Sequence, residues 1–129
     1  MSVALQADPA VGVVAESSTL TRVVTDGKFL RAGTERFLVK GVTYGTFAPD
    51  SSGCQFPSLS QISEDFRLMA ELGINTVRVY TTPHRELLDE AGRHGLRVMV
   101  GLPWSQHVAF LDDRRLRQDV ERQIVKAVG

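Results

Sequence analysis

The residue best suited to chemistry is Arg78, which lies in an alternating β-type run, Asn75-Thr-Val-Arg-Val-Tyr80. Successive side chains of a strand point to opposite faces, so Val77 and Val79 share one face while Arg78 and Tyr80 share the other. The valines suit a face covered by helices, which directs Arg78 into the interior of a sheet or barrel. A guanidinium stays charged there and requires a carboxylate or substrate oxygens as its partner. The alternative is an arginine that reaches solvent at the edge of an open sheet.

Aromatic and imidazole side chains follow the two other β-type runs of this part of the chain. Trp104 comes directly after the third run, where an indole can stack on the apolar face of a sugar ring. Tyr44 and Phe47 follow the first run and allow the same interpretation. For each aromatic, the alternative is a loop side chain that closes over the core. His107, in the loop after Trp104, is the best candidate for a substrate hydrogen bond.

The sequence contains no pattern for a metal, a cofactor or a serine nucleophile. The histidines include no pair at i, i+4 spacing, and Cys54 is the single cysteine. His84 and His94 fall near opposite ends of a predicted helix and are expected on its surface. The segment Gly41-Val-Thr-Tyr-Gly45 matches neither a dinucleotide fingerprint nor a phosphate loop, and no Gly-x-Ser-x-Gly elbow is present. We therefore expect no cofactor and no bound metal.

The acidic residues do not fall where an active site at the ends of parallel strands would need them. None lies at the end of a predicted parallel strand. They fall on predicted helices, in loops or at helix caps: Glu64, Asp65, Glu71, Glu86, Asp89, Glu90, Asp50, Asp112 and Asp113. The residues alone therefore assign no general acid and no nucleophile.

Hydrophobic periodicity predicts an N-terminal hairpin followed by three strand–helix units. Asp26-Gly27-Lys28 is typical of a tight turn, and Ser58-x-x-Gln61 is typical of a helix N-terminus. The predicted elements are a hairpin (21–31), a strand (36–43), a long loop (45–58), a helix from Ser58 to Gly73, a strand (75–80), a helix from Thr82-Pro83 to Gly95, a strand (96–102) and a helix capped by Asp112 or Asp113. This alternation predicts an α/β fold with parallel strands joined by crossovers.

Composition and charge narrow the class of function. Fifteen basic and fifteen acidic side chains cancel, which disfavours nucleic acid as the main partner. No apolar run has the roughly 20 residues that cross a bilayer, and the first residues lack a basic segment before an apolar core. We expect residues 1–19 to form a flexible leader and residues 20–129 to form one domain. The sequence leaves the localisation open and favours the cytoplasm.

Taken in order, several pieces of the chain resemble the start of the catalytic (β/α)8 barrel in a large clan of retaining glycoside hydrolases. That clan includes the family 2 barrel domain, family 5, and the β-1,3-glucan hydrolases and glucanosyltransferases. The matching pieces are Asp26-Gly-Lys-Phe-Leu30, Val39-Lys-Gly-Val-Thr-Tyr-Gly45, the stretch 65–80 that ends in Gly-Ile-Asn-Thr-Val-Arg-Val-Tyr80, and the stretch 87–104 that ends in Gly-Leu-Pro-Trp104. The resemblance as a whole covers about residues 21–111.

The resemblance implies an N-terminal β-hairpin followed by the first three βα units of a TIM barrel. In that clan the arginine of the second strand lies near the nucleophile, and Arg78 matches it. The acid/base residue follows the fourth strand and the nucleophile the seventh, which are units that these 129 residues do not include. Because a full barrel takes about 250 residues, we expect a partial barrel, inactive alone, that requires the C-terminal half or associates with itself through its open edges.

Three hypotheses of function follow. The first is the N-terminal part of a glycoside hydrolase or transglycosylase for β-linked glycans. Its oligosaccharide site would be lined by Arg78, Tyr44, Tyr80, Trp104 and His107. The second is a carbohydrate-binding protein without catalysis, and the third is a complete small open-sheet α/β domain with an unrelated ligand.

Overall fold

The computed structural model describes residues 20–102 and 107–129. In these residues there are two three-stranded sheets and three helices. The strands are β1 (Val23–Asp26), β2 (Phe29–Ala32), β3 (Glu35–Arg36), β4 (Gly41–Thr43), β5 (Thr76–Val79) and β6 (Arg97–Val100). The helices are α1 (Leu59–Glu71), α2 (Arg85–Arg93) and α3 (Arg114–Val128). The expected leader, residues 1–19, lies outside the described residues.

The first sheet is an antiparallel meander, β1-β2-β3, that begins with the expected hairpin. Asp26 pairs with Phe29, which leaves Gly27 and Lys28 as a two-residue turn. Gly27 has a φ of 59°, a conformation that glycine adopts without the steric cost of a Cβ atom. The prediction of a hairpin at this position is confirmed.

The second sheet is parallel, with the strand order β4-β5-β6. The prediction of one strand over residues 36–43 is wrong, because this run pairs with two different sheets. Its start continues the meander, where the Phe37 amide donates to the Leu30 carbonyl at 2.8 Å. Its end, β4, pairs with β5. Asn75 holds the segment in between, since its side chain accepts from the Lys40 amide and donates to the Leu38 carbonyl, both at 2.8 Å.

The helix ends follow local capping chemistry. The Ser58 hydroxyl accepts from the Gln61 amide at the start of α1, and Asp113 caps α3, as the sequence predicts. Gly73, with a φ of 80°, ends α1 while the Ile74 amide donates to the Met69 carbonyl, which is the Schellman arrangement.

The predicted start of the second helix at Thr82 and Pro83 is wrong. The N-cap of α2 is His84, whose Nδ1 atom accepts from the Leu87 amide at 3.2 Å. An imidazole nitrogen therefore satisfies one of the amides that the first turn of a helix leaves unpaired.

The core lies between α1, α2 and one face of the parallel sheet. It is formed by the buried residues Tyr44, Ile62, Phe66, Val77, Val79, Leu87, Ala91 and Leu96. Both valines of β5 are fully buried while Arg78 between them is exposed, so the helices cover one face of this sheet and leave the other face open around Arg78. Thr76, at the amino end of that second face, is buried. Parallel strands with helices on one side confirm the predicted mixed α/β architecture. Among the described residues, no helix is long and apolar enough to cross a bilayer.

Candidate functional site

The candidate site is the uncovered face of the parallel sheet near the carboxyl ends of its strands. Arg78 pairs with Thr43 on one side and Met99 on the other, so these three side chains form a row across the strands. Tyr80 follows Arg78 on the same face, with its ring centroid 4.8 Å from the Arg78 Cζ atom. We call Thr43, Arg78, Tyr80 and Met99 the open face. All four side chains are exposed, so a molecule from outside can reach them.

Arg78 lies on the face of β5 that the alternation predicts, but it is exposed to solvent instead of lying in an interior. The guanidinium lies opposite the helix-covered core, as predicted, yet solvent reaches it. It forms no ion pair within residues 20–102 and 107–129, and β4, β5 and β6 contain no Asp or Glu. The Arg78 guanidinium therefore stacks on the Tyr80 ring, and its N–H groups remain available to donate hydrogen bonds to a ligand.

Tyr44 lies on the other side of the sheet, within the core. It is 5% exposed, and its ring packs against Phe47 and Phe66 at centroid distances of 4.9 and 5.2 Å. Its hydroxyl donates to Oδ2 of Asp65 at 2.6 Å. This bond ties the end of β4 to α1. The Tyr44 amide donates to the Arg78 carbonyl at 2.8 Å, but the Tyr44 side chain lies on the opposite face from those of Arg78 and Tyr80.

Burial raises the pKa of the Tyr44 phenol well above its ordinary value of 10.0, and the hydrogen bond to Asp65 raises it further. A raised pKa in the folded state means that the stabilisation is present below pH 10 and is lost as the pH rises above it. The neutral hydroxyl is thus a permanent donor at physiological pH.

We expect Tyr44→Phe to lower the unfolding free energy by about 1 kcal/mol, because Asp65 loses a charge-assisted hydrogen bond. The decline of stability above pH 10 should also be shallower in this variant. Urea unfolding followed by circular dichroism from pH 7 to pH 11 measures both effects. Tyr80→Phe, on the exposed face, is the matched control and should behave like the unaltered chain. Equal behaviour of the two variants would contradict the structural role of the Tyr44 hydroxyl.

The other two predicted site residues are Trp104 and His107. Trp104 lies outside the described residues, whereas His107 is exposed and has a φ of 65°. His107 forms no hydrogen bond or ion pair with Arg78 or Tyr80. Of the four expected sugar-site residues that the structure describes, it therefore brings the side chains of two together, Arg78 and Tyr80.

The loop 45–58, which precedes α1, is held by Asp50. Its Oδ1 atom accepts from the Ser52 hydroxyl at 2.6 Å and from the amides of Ser52 and Cys54 at 2.8 and 3.0 Å. These hydrogen bonds, that of the Ser52 hydroxyl first, lower the pKa of Asp50. The Oδ1 atom of this carboxylate therefore holds the turn at residues 50–54.

A second polar cluster joins α1 to α2, and sequence reasoning missed it. Glu90 is 5% exposed; its carboxylate lies 2.6 Å from Nη1 of Arg93 and 3.1 Å from Nε2 of His94. The Ser63 hydroxyl lies 3.3 Å from the same His94 nitrogen. We call these four residues the Glu90 cluster. The expectation that His94 lies on the surface is wrong, because it is partly buried in this cluster.

The Glu90 cluster contains serine, histidine and glutamate but does not have the geometry of a nucleophilic triad. A triad uses both ring nitrogens, one to accept the serine proton and the other to donate to the carboxylate. Here Ser63 and Glu90 both contact Nε2 of His94. The cluster is therefore a structural connection between two helices.

Comparison with known proteins finds no match: no family model, no curated protein and no solved structure aligns with this chain. Among the described residues, no group of three or more His, Cys, Asp or Glu side chains is arranged to hold a metal ion. The residues of the open face are therefore the observations that bear on function.

Proposed function

We propose that the open face is the sugar-binding side of a (β/α)-barrel glycoside hydrolase or transglycosylase that acts on β-linked glycans. The observation that carries this proposal is the exposed pair of Arg78 and Tyr80 at the carboxyl end of β5, on the face without helices. In parallel α/β folds, ligands bind at the carboxyl ends of the strands.

The chemistry of this pair suits a sugar. The Tyr80 ring is 44% exposed and offers a flat apolar surface with a polar hydroxyl. The Arg78 guanidinium offers several N–H donors in one plane, which match the closely spaced hydroxyl oxygens of a pyranose ring. The Thr43 hydroxyl, in register beside Arg78, adds a further donor or acceptor.

In this proposal the residues that break the glycosidic bond come from further β-strands. A retaining glycosidase uses two carboxyl groups about 5 Å apart, and β4, β5 and β6 carry none. Within the parallel sheet, β4 and β6 each have one edge without a partner strand among the described residues. Strands added at these edges would extend the sheet towards a barrel and bring carboxylates near Arg78. Association between copies through the same edges also remains a prediction.

Carbohydrate binding without catalysis is the second candidate. The absence of a carboxylate from the three paired strands favours it, since the open face can hold a glycan while lacking groups that act as acid and nucleophile. Both candidates bind a glycan, and they differ in whether the glycan is hydrolysed. Binding and hydrolysis are therefore measured side by side.

The experiment measures binding of cello- and laminari-oligosaccharides to the 129-residue chain by calorimetry. We expect weak saturable binding that Arg78→Ala and Tyr80→Ala each reduce about tenfold, the effect of losing charged hydrogen bonds or a stacking surface. Arg85→Ala is the matched control, because Arg85 is an exposed arginine on α2. Equal binding by all variants would contradict the proposal.

Turnover is assayed in parallel with aryl β-glycosides. No hydrolysis by this chain is expected. Hydrolysis that tracks the protein through purification would contradict the inference that the catalytic carboxylates lie on further strands.

A further inference from the structure

A cavity of about 440 Å³ lies between the hairpin and the first residues of β5 and β6. Its wall is mainly apolar and includes Val23, Leu30, Phe37, Val39, Val98 and Met99. This volume falls within the range of small-molecule sites, roughly 300–1,000 Å³. The cavity is at the amino ends of the parallel strands, and neither Arg78 nor Tyr80 lines it. Met99 of the open face also lies in its wall, so the cavity adjoins the proposed sugar site.

The charged side chains that the described residues contribute to the wall are both cationic. They are Arg22 and Arg97, and no described Asp or Glu lines the cavity. Arg97 donates from Nη2 to the Thr21 carbonyl at 3.2 Å, and its Cζ atom lies 4.4 Å from the Phe37 ring centroid. These contacts fix the plane of the guanidinium against the cavity wall without neutralising its charge.

The charge of Arg97 is uncompensated within the described residues. The Nε atom of Arg97 is buried and has no hydrogen-bond partner among these residues. The guanidinium also forms no ion pair with any of them. Buried polar groups in folded proteins are almost always paired, so an unpaired guanidinium N–H requires an explanation. An anion bound beside this guanidinium would supply the missing charge.

We propose that this cavity binds a small amphiphilic carboxylate, with the carboxylate beside the guanidinium of Arg97 and the hydrocarbon chain against the apolar wall. The cationic wall favours an anion over a neutral or cationic head group. The surrounding valine, leucine and phenylalanine side chains favour an alkyl body over a sugar or a nucleotide. The inference does not depend on the proposed glycan site.

Three probes of matched structure test the proposal by calorimetry or by NMR titration of backbone amides. Octanoate carries both the charge and the chain, 1-octanol carries the chain alone, and acetate carries the charge alone. We expect octanoate to bind about tenfold more tightly than octanol and acetate to show no saturation. Equal affinity for octanoate and octanol, or no saturable binding of octanoate, would overturn the proposal.

Variants assign the effect to Arg97. Arg97→Gln should reduce octanoate affinity about tenfold and leave octanol affinity unchanged, a split that general unfolding would not produce. Arg36→Gln is the matched control, because Arg36 also stacks on a phenylalanine, at 3.6 Å from the Phe29 ring centroid, but lies outside the cavity wall. An equal loss in Arg36→Gln would overturn the assignment.

If Arg97→Gln does not fold, Val39→Trp provides the test with Arg97 intact. Val39 lines the cavity but is itself exposed, so a larger side chain can occupy the space without entering the core. Binding of both octanoate and octanol should disappear. Unchanged octanoate binding in this variant would contradict a site in the cavity.

Discussion

Phe66→Ala is expected to lower the unfolding free energy by about 3–5 kcal/mol, the cost typical of truncating a buried aromatic ring. Phe66 is fully buried in the middle of α1 and packs against the Tyr44 ring. The core cluster contains eight buried residues, and Phe66 is the largest of its fully buried side chains, so its truncation leaves a void that few neighbours can fill. Since domains have total stabilities of about 5–15 kcal/mol, this variant should lose a large share of its folded population.

Urea unfolding at pH 7 measures this effect, and Phe29→Ala is the matched control. Phe29 is 42% exposed on the hairpin, where its ring packs against Arg36. Its truncation should cost well under half as much. Similar losses in both variants would show that α1 does not pack on the sheet through Phe66.

Glu90→Ala is the prediction with the second largest effect on stability, a loss of about 2 kcal/mol. The Glu90 carboxylate is buried and is hydrogen-bonded to Arg93 and His94 at the end of α2, and His94 in turn contacts the Ser63 hydroxyl of α1. Its removal leaves Arg93 and His94 without their hydrogen-bond partner. The neighbouring Asp89→Ala is the control, because Asp89 is an exposed residue of the same helix and should have little effect.

Glu90 also determines part of the acid sensitivity of the fold. Hydrogen bonds, first from Ser63 and then from Arg93 and His94, lower the pKa of Glu90 below its ordinary value of 4.5. A lowered pKa in the folded state means that the stabilisation is present above pH 4.5 and is lost as the pH falls below it. Glu90→Gln should therefore flatten the decline of stability between pH 5 and pH 3. If Glu90→Gln loses as much stability between pH 5 and pH 3 as the unaltered chain does, the proposed role of the carboxylate is contradicted.

The parts of the fold that sequence reasoning predicted well depend on neighbouring residues. The alternation of β5 correctly separated Arg78 from Val77 and Val79, because the strand period is a local property. The ends of α1 at Ser58 and Gly73 were likewise predicted, since the cap and the left-handed glycine lie within a few residues of the helix.

The errors arose where distant segments decide the outcome. Residues 36–43 form two strands because their partners lie on different sheets, which no local pattern reveals. The cavity beside Arg97 depends on a contact with Thr21, 76 residues away along the chain. No motif could have placed these two residues together.

Two features of the site had signals that were available in the sequence. Val42 and Tyr44 are two residues apart in the same β-type run, so strand alternation places them on the same face. Because Val42 pairs with the buried Val77, that face is the one covered by helices, and Tyr44 is expected in the core. Glu90 lies three residues after Leu87 and next to Ala91, within the apolar stripe of α2. A carboxylate at such a position indicates a buried polar cluster.

The most direct measurement of the central claim is an NMR titration of the 129-residue chain with a β-linked glucan oligosaccharide. Backbone amides and the Arg78 side-chain Nε–H report where the glycan binds. We predict that the shifts concentrate on Thr43, Arg78, Tyr80 and Met99, with saturation at a common concentration. Shifts confined to the helices or to the hairpin, or no saturable shift at Arg78, would contradict the assignment of the open face as a sugar site.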